Sequence, residues 1–263
     1  MTAAILALVA VIAGAVASVV GFGIGSLLTP LLALSVGTQL AVAAISVPHA
    51  VATAVRFWRL RAHVDRRVLV SFGIMSAAGG LAGALLHARA SNRVLAIVFG
   101  GILIFVGLSE LSGLARRMHF SGPVAWVAGA VSGAFGGLVG NQGGIRSAAL
   151  LGFDLDRQAF VATATAIGLV VDAARMPVYF AAEGAAMLRI WPLILVATAG
   201  TLAGTLAGVR VLGRIPERVF RRIVAIVLIV LGGYMIFGRA PTVRRTPESR
   251  AYIPNGGSSA VGP

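Results

Sequence analysis

Long apolar runs follow one another along this chain, separated by short stretches that carry most of its charge. They fall at about 3–20, resuming to 35 after a glycine break at 21–25, then at 40–55, 68–86 and 94–114. They recur at about 123–139, resuming to 151 after a break at 140–144, then at 159–180, 190–209 and 219–237. Crossing a bilayer takes about 20 apolar residues as a helix. The pattern therefore predicts an all-α polytopic membrane protein of about eight transmembrane segments. Composition agrees: the chain is 58% hydrophobic and 11% charged, where a soluble domain carries about 25% charge. Beyond residue 238 the sequence turns rich in Pro, Gly, Ser and Arg, and the tail 239–263 is expected to be disordered.

The pattern is written twice. AGAVASVVGFGIGSLLTP, from Ala13, is echoed by AGAVSGAFGGLVGNQGGIRS, from Ala128. Gly14–Ala15–Val16 matches Gly129–Ala130–Val131, and Gly21 and Gly25 match Gly136 and Gly140. Further on, Val51–Arg56 matches Val170–Arg175, Leu81–Gly83 matches Leu202–Gly204, and Arg93–Val94 matches Arg218–Val219, with a few residues inserted before Phe153. This divides the chain into a first repeat at 1–114, a linker at 115–122 and a second repeat at 123–238, each of four elements. Paired glycine-interrupted apolar segments are the best sequence pointer to the binding site of a repeat-built transporter.

All 22 basic residues are arginine, and the net charge is +14. The arginines mark loops rather than a nucleic-acid surface. Arg56, Arg59, Arg61, Arg66 and Arg67 follow segment two, Arg116 and Arg117 lie in the linker, and Arg210, Arg214, Arg218, Arg221 and Arg222 lie between segments seven and eight. The positive-inside rule assigns all three loops to the cytoplasm. That assignment closes only if segment five enters and returns. Segments one and five then become broken or re-entrant helical hairpins in two inverted repeats.

A helix broken inside a bilayer leaves unpaired backbone groups, so such backbone lines a cavity or meets a ligand. The resumed half-helices, expected to begin near Ser26 and Gly144, offer free N–H groups and a partial positive charge, which favour an anion. The expected substrate-binding set is Gly23, Gly25 and Ser26 from the first break, and Asn141, Gln142, Gly143, Gly144 and Arg146 from the second. An arginine at membrane depth costs about 2.5–3.5 kcal/mol on the insertion scale unless paired or hydrated. Its planar fork suits sulfonate, sulfite or carboxylate oxygens. Plainer alternatives stand beside each assignment: Gly21, Gly25, Gly136 and Gly140 as tight helix packing, Arg146 snorkelling or paired with Asp172, and Asn141 and Gln142 capping freed backbone. Asp172 and Arg175 sit three apart and face one another on a helix. They are either a structural ion pair or, with His49, a proton-carrying or gating element, since imidazole titrates near neutral pH.

The doubled breaks, the stretch GFGIGSLLTPLLALSVGTQLAVAAISV, the basic loop RLRAHVDRRV and GLVGNQGGIRSAALLGFDLDRQAFVATATA together resemble the sulfite exporter TauE/SafE family, also called the toluene sulfonate uptake permease family. The resemblance runs nearly to Gly238. It implies a permease or exporter of sulfite or small organosulfur anions such as sulfonates, located in a bacterial cell inner membrane. The expected partners are a small anion and the lipid bilayer; no nucleic acid and no cofactor are expected, and assembly as a homodimer is compatible with the reading. An anion channel or a non-transport membrane subunit is the alternative. No enzyme is expected: the chain has no cysteine, no Walker motif, and no serine–histidine or paired-aspartate arrangement of an intramembrane hydrolase.

Overall fold

A computed structural model describes residues 2–20, 23–114, 123–141, 143–150, 152–212 and 217–238. The described residues form ten helices of eight residues or more, α1 (Ala3–Val20), α2 (Ile24–Val36), α3 (Thr38–Leu60), α4 (Arg66–Arg89), α5 (Asn92–Ser112), α6 (Pro123–Val139), α7 (Gly143–Leu150), α8 (Arg157–Arg189), α9 (Trp191–Leu212) and α10 (Glu217–Phe237), with a short 3-10 turn at Arg61–His63. α4 passes through a π-helical turn at Leu69–Gly73. Starts are fixed by side-chain caps. Asp156 accepts from the amides of Gln158 and Ala159, Ser91 from Val94, and Asp65 from Val68, each satisfying a donor that a helix start leaves free. α5 ends at Gly113 in the left-handed region, φ 70, as helices commonly do.

Five helices are long and apolar enough to cross a membrane, lying within Thr38–His63, Arg66–Arg89, Asn92–Ser112, Gln158–Arg189 and Trp191–Gly208. Four shorter apolar helices accompany them. Their outward faces are apolar. Ile5, Leu8 and Ile12 are exposed along α1, and Val219, Ile223, Val230 and Phe237 along α10. In water such stripes would be liabilities; facing lipid they are the expected surface. Trp58, Trp126 and Trp191 are more than half exposed near helix ends, where interfacial tryptophans sit.

The two halves match element for element, in a register that corrects the sequence alignment. Val20 and Val139, Ile24 and Gly143, and Thr38 and Arg157 are each separated by 119 positions. Arg66 and Trp191, Asn92 and Glu217, and Ser112 and Phe237 are each separated by 125. Gly14 thus corresponds to Gly133, not Gly129, and Leu81–Gly83 to Leu206–Gly208, not Leu202–Gly204. Both errors are one helical turn. Small residues recur every fourth position on these helices, so a slip of one turn still superimposes glycine on glycine. No insertion precedes Phe153; the six extra residues of the second half fall in the stretch that ends the 33-residue α8.

Contacts recur with the halves exchanged. α1 packs on α9, and α6 on α4; α5 packs on α10, and α3 on α8. A Cβ at Gly14 would overlap the carbonyl oxygen of Thr201, and one at Gly133 that of Ser76, the position equivalent to Thr201. Gly100 lies against Gly232, and Gly107 against Ala225, again the same pair exchanged. Such close backbone approach is what small residues permit between membrane helices. Several arginines read as loop charges are helical: Arg56 and Arg59 belong to α3, Arg210 to α9, and Arg218, Arg221 and Arg222 to α10.

Candidate functional site

The two glycine breaks touch. α1 stops at Val20, and α2 starts at Ile24 after Gly23, whose φ of 134 only glycine adopts readily. α6 stops at Val139, Gly140 turns with φ 75, and α7 starts at Gly143. The half-helices therefore begin two residues and one residue earlier than expected. A Cβ at Gly25 would stand 2.5 Å from the carbonyl oxygen of Gly140, so the first turn of α2 rests on the second break. Ser26 is buried in that turn. Gly143 and Gly144 open α7, while Gly21, Phe22 and Gln142 lie outside the described residues.

Around the breaks, charged side chains secure helix ends. Arg56 Nη1 donates to Ala17 O at 2.6 Å, and Arg175 Nη1 donates to Gly136 O at 2.6 Å. Arg56 and Arg175 are 119 apart, as are Ala17 and Gly136, so one bond is made in both halves. Each places a cation on the last turn of a half-helix, where free carbonyls and the negative end of the dipole favour it. The end of α6 receives two more. Tyr179 donates its hydroxyl to Gly137 O, and His87 Nδ1 donates to Leu138 O at 2.8 Å. Three successive carbonyls of α6 are thereby satisfied. The position equivalent to Tyr179 is Leu60 in the first half, and that equivalent to His87 is Leu212 in the second; neither leucine carries a donor.

Asp172 is fully buried and holds two partners. Its Oδ1 accepts from Arg175 Nε at 3.0 Å and lies 2.7 Å from Arg175 Nη2. Its Oδ2 lies 2.7 Å from His49 Nδ1, joining α3 to α8. The helix-face ion pair expected of Asp172 and Arg175 is present, and His49 is attached to it. The alternative pairing of Arg146 with Asp172 is not what the structure holds.

Arg146, in α7, is 2% exposed, and its Nε and Nη1 have no hydrogen-bond partner among the described residues. The same holds for Asn141 Nδ2, Arg56 Nε and Thr53 Oγ1. Arg146 lies within electrostatic reach of Arg56, Arg175 and Asp172. Its guanidinium occupies space that Gly168 leaves open: a Cβ there would stand 2.9 Å from Arg146 Nη1 and 3.7 Å from Thr53 Cγ2. Buried polar atoms are normally paired, so this group of donors is unusual. Unmatched buried donors of this kind are the chemistry that acceptor oxygens satisfy.

The family model described as sulfite exporter TauE/SafE matches residues 6–235. The chain belongs to the sulfite exporter TauE/SafE family. No curated protein and no solved structure matched it. As a TauE/SafE family member it is a membrane transporter of a transporter family, and the apolar helices described above fit that role. The matched stretch takes in both breaks and every residue of the cluster. Sequence reasoning singled out Arg146 and Asn141 in this TauE/SafE protein but missed Arg56, Thr53, His87 and Tyr179. Arg56 was counted as a loop charge, although its alignment with Arg175 was the signal that would have found it. His87 lay too near a segment end to stand out.

Proposed function

We propose that this protein is a secondary transporter of small anions, sulfite or organosulfur anions such as sulfonates, bound near the midplane between the two glycine breaks. The observation that carries the reading is Arg146: a buried guanidinium with two unpartnered nitrogens, five residues after Asn141, whose amide nitrogen is also unpartnered. Gly23, Gly25 and Ser26 contribute the N-terminal turn of α2, and Gly143 and Gly144 that of α7; Gln142 completes the set from the sequence. His49, Asp172 and Arg175 form the proton-carrying or gating element. A titratable pair linking helices from the two halves favours coupled transport over an open anion channel, and the converging buried donors favour it over a non-transport subunit.

The halves are read as inverted repeats, with α1–α2 and α6–α7 as re-entrant hairpins. The exchanged contacts of α1 with α9 and α6 with α4 support this, as does the arginine distribution. The protein acts in a bacterial cell inner membrane, with a small anion and lipid as partners, no nucleic acid, and a homodimer as the assembly to test. It performs transport rather than catalysis. Reconstitution in proteoliposomes tests the reading: flux of sulfite or a sulfonate against its gradient, driven by a proton gradient, is the expected result. Dissipative flux alone would make it a channel, and no flux of any anion would remove the transport reading.

A further inference from the structure

We infer that the site selects doubly charged oxyanions over singly charged ones of the same shape, clamping them between Arg56 of the first half and Arg146 of the second. The inference rests on the anion-site reading above and adds to it a charge state and a residue, Arg56.

The argument is one of charge. Arg56, Arg146 and Arg175 surround Asp172, which is the carboxylate that acts on all three among the described residues. Asp172 spends one oxygen on Arg175 and the other on His49. Arg175 is thereby paired, and Arg56 and Arg146 are left without a carboxylate of their own among the described residues. The repeat shows how this came about. The position equivalent to Asp172 in the first half is Thr53, 119 residues earlier, so Arg56 has no counterpart of the acid that serves Arg175. The position equivalent to His49 in the second half is Gly168, and its missing side chain makes the room that the Arg146 guanidinium fills. The pseudo-symmetry is broken twice, and both breaks leave an arginine without an acid.

Arg146 is buried and Arg56 partly buried, so both charges are poorly solvated and favour a counter-charge. A dianion neutralises both, whereas a monoanion leaves one unpaired. The free groups agree with a fully ionised ligand. Arg56 Nε, Arg146 Nε and Nη1, and Asn141 Nδ2 can only donate, and Thr53 Oγ1 can donate. A ligand bearing a proton of its own would find no dedicated acceptor among them.

The test uses pairs of equal shape and different charge: sulfate against methanesulfonate, and sulfoacetate against isethionate. Each is titrated at fixed ionic strength into the purified full-length protein, with dissociation constants read by thermal shift and calorimetry. The dianion of each pair should bind at least tenfold tighter, which is about 1.4 kcal/mol. In Arg56→Gln the ratio should fall to near one with monoanion binding retained, and Arg56→Lys, which keeps the charge, should keep the ratio. Equal or tighter binding of the monoanions to the unmodified protein overturns the charge selectivity while leaving the anion site standing. A ratio that survives Arg56→Gln removes Arg56 from the clamp. Failure of every anion to bind removes the site reading itself, and this inference with it. Should Arg56→Gln fail to fold, the unmodified protein's ratio still decides the charge preference.

Discussion

Arg56 and Arg175 make the same bond in the two halves, each donating Nη1 to a carbonyl in the last turn of the helix that precedes a glycine break. They differ in what lies behind them. Arg175 is held in a direct ion pair by the fully buried Asp172, whereas Arg56 feels Asp172 only at longer range. One half is thus pinned by a complete network, and the other leaves a charge in reserve.

Arg175→Ala should destabilise the protein severely, by about 3–5 kcal/mol, the usual result of removing one member of a buried pair. It leaves Asp172 Oδ1 without its cation and takes the charged donor from the Gly136 carbonyl. Asp172→Asn should be comparably harmful because it leaves the Arg175 charge buried. The double variant Asp172→Asn/Arg175→Gln should be less harmful than the two single losses added, since neither residue strands the other. Thermal unfolding in detergent, with all three variants compared, measures the coupling. Strict additivity would mean that the two groups are independent.

The sequence made the architecture legible because a membrane asks little of a sequence beyond apolar length, and Leu6, Leu28 and Leu103 are interchangeable in meeting that demand. It made the breaks legible because glycine at Gly23 and Gly140 is forced by backbone geometry. It did not fix the register of the repeat. A stripe such as Gly129–Gly133–Gly137 matches itself after one turn, and only the boundaries of real helices remove the ambiguity. Arg56 was misplaced for a related reason: an arginine near the end of an apolar run reads as a loop charge until the tertiary contact with Ala17 is seen. Arg146 was legible because it stands in the first turn of the half-helix that follows a break.

The inverted-repeat reading predicts that residues 61 and 214 lie on the same, cytoplasmic, face. The chain contains no cysteine, so Arg61→Cys and Arg214→Cys can be labelled singly with membrane-impermeant reagent and no background. Both should be protected in intact cells and labelled in inverted vesicles. Labelling from opposite faces would rule out the re-entrant assignment of α6–α7.

Proton coupling through His49 and Asp172 predicts a changed pH profile rather than merely a lower rate. His49 Nδ1 lies 2.7 Å from Asp172 Oδ2, so a proton carried by transport would pass through this contact. Transport coupled in this way should depend on pH, and His49→Ala or Asp172→Asn should flatten the dependence. His49→Ala is the cleaner variant because Asp172 keeps Arg175. If both variants retain the unmodified pH profile at reduced flux, the pair is structural and couples nothing.

Arg146 should behave oppositely to Arg175, although both are buried arginines. Removing Arg175 breaks bonds that exist in the empty protein; removing Arg146 takes away Nε and Nη1 groups that have no partner there. Arg146→Ala should therefore leave the stability of the empty protein nearly unchanged, or raise it by relieving an unpaired charge beside Arg56 and Arg175. The same substitution should weaken anion binding by at least ~1.5 kcal/mol, the lower range for a hydrogen bond to a charged group. Because a ligand that binds the folded state stabilises it by mass action, the two effects separate in one experiment: unfolding temperature with and without saturating anion. The shift produced by the anion should shrink while the ligand-free midpoint holds, and Arg239→Ala in the tail should alter neither. A ligand-free midpoint that falls as far as that of Arg175→Ala, with the anion shift intact, would make Arg146 a structural arginine and move the site elsewhere.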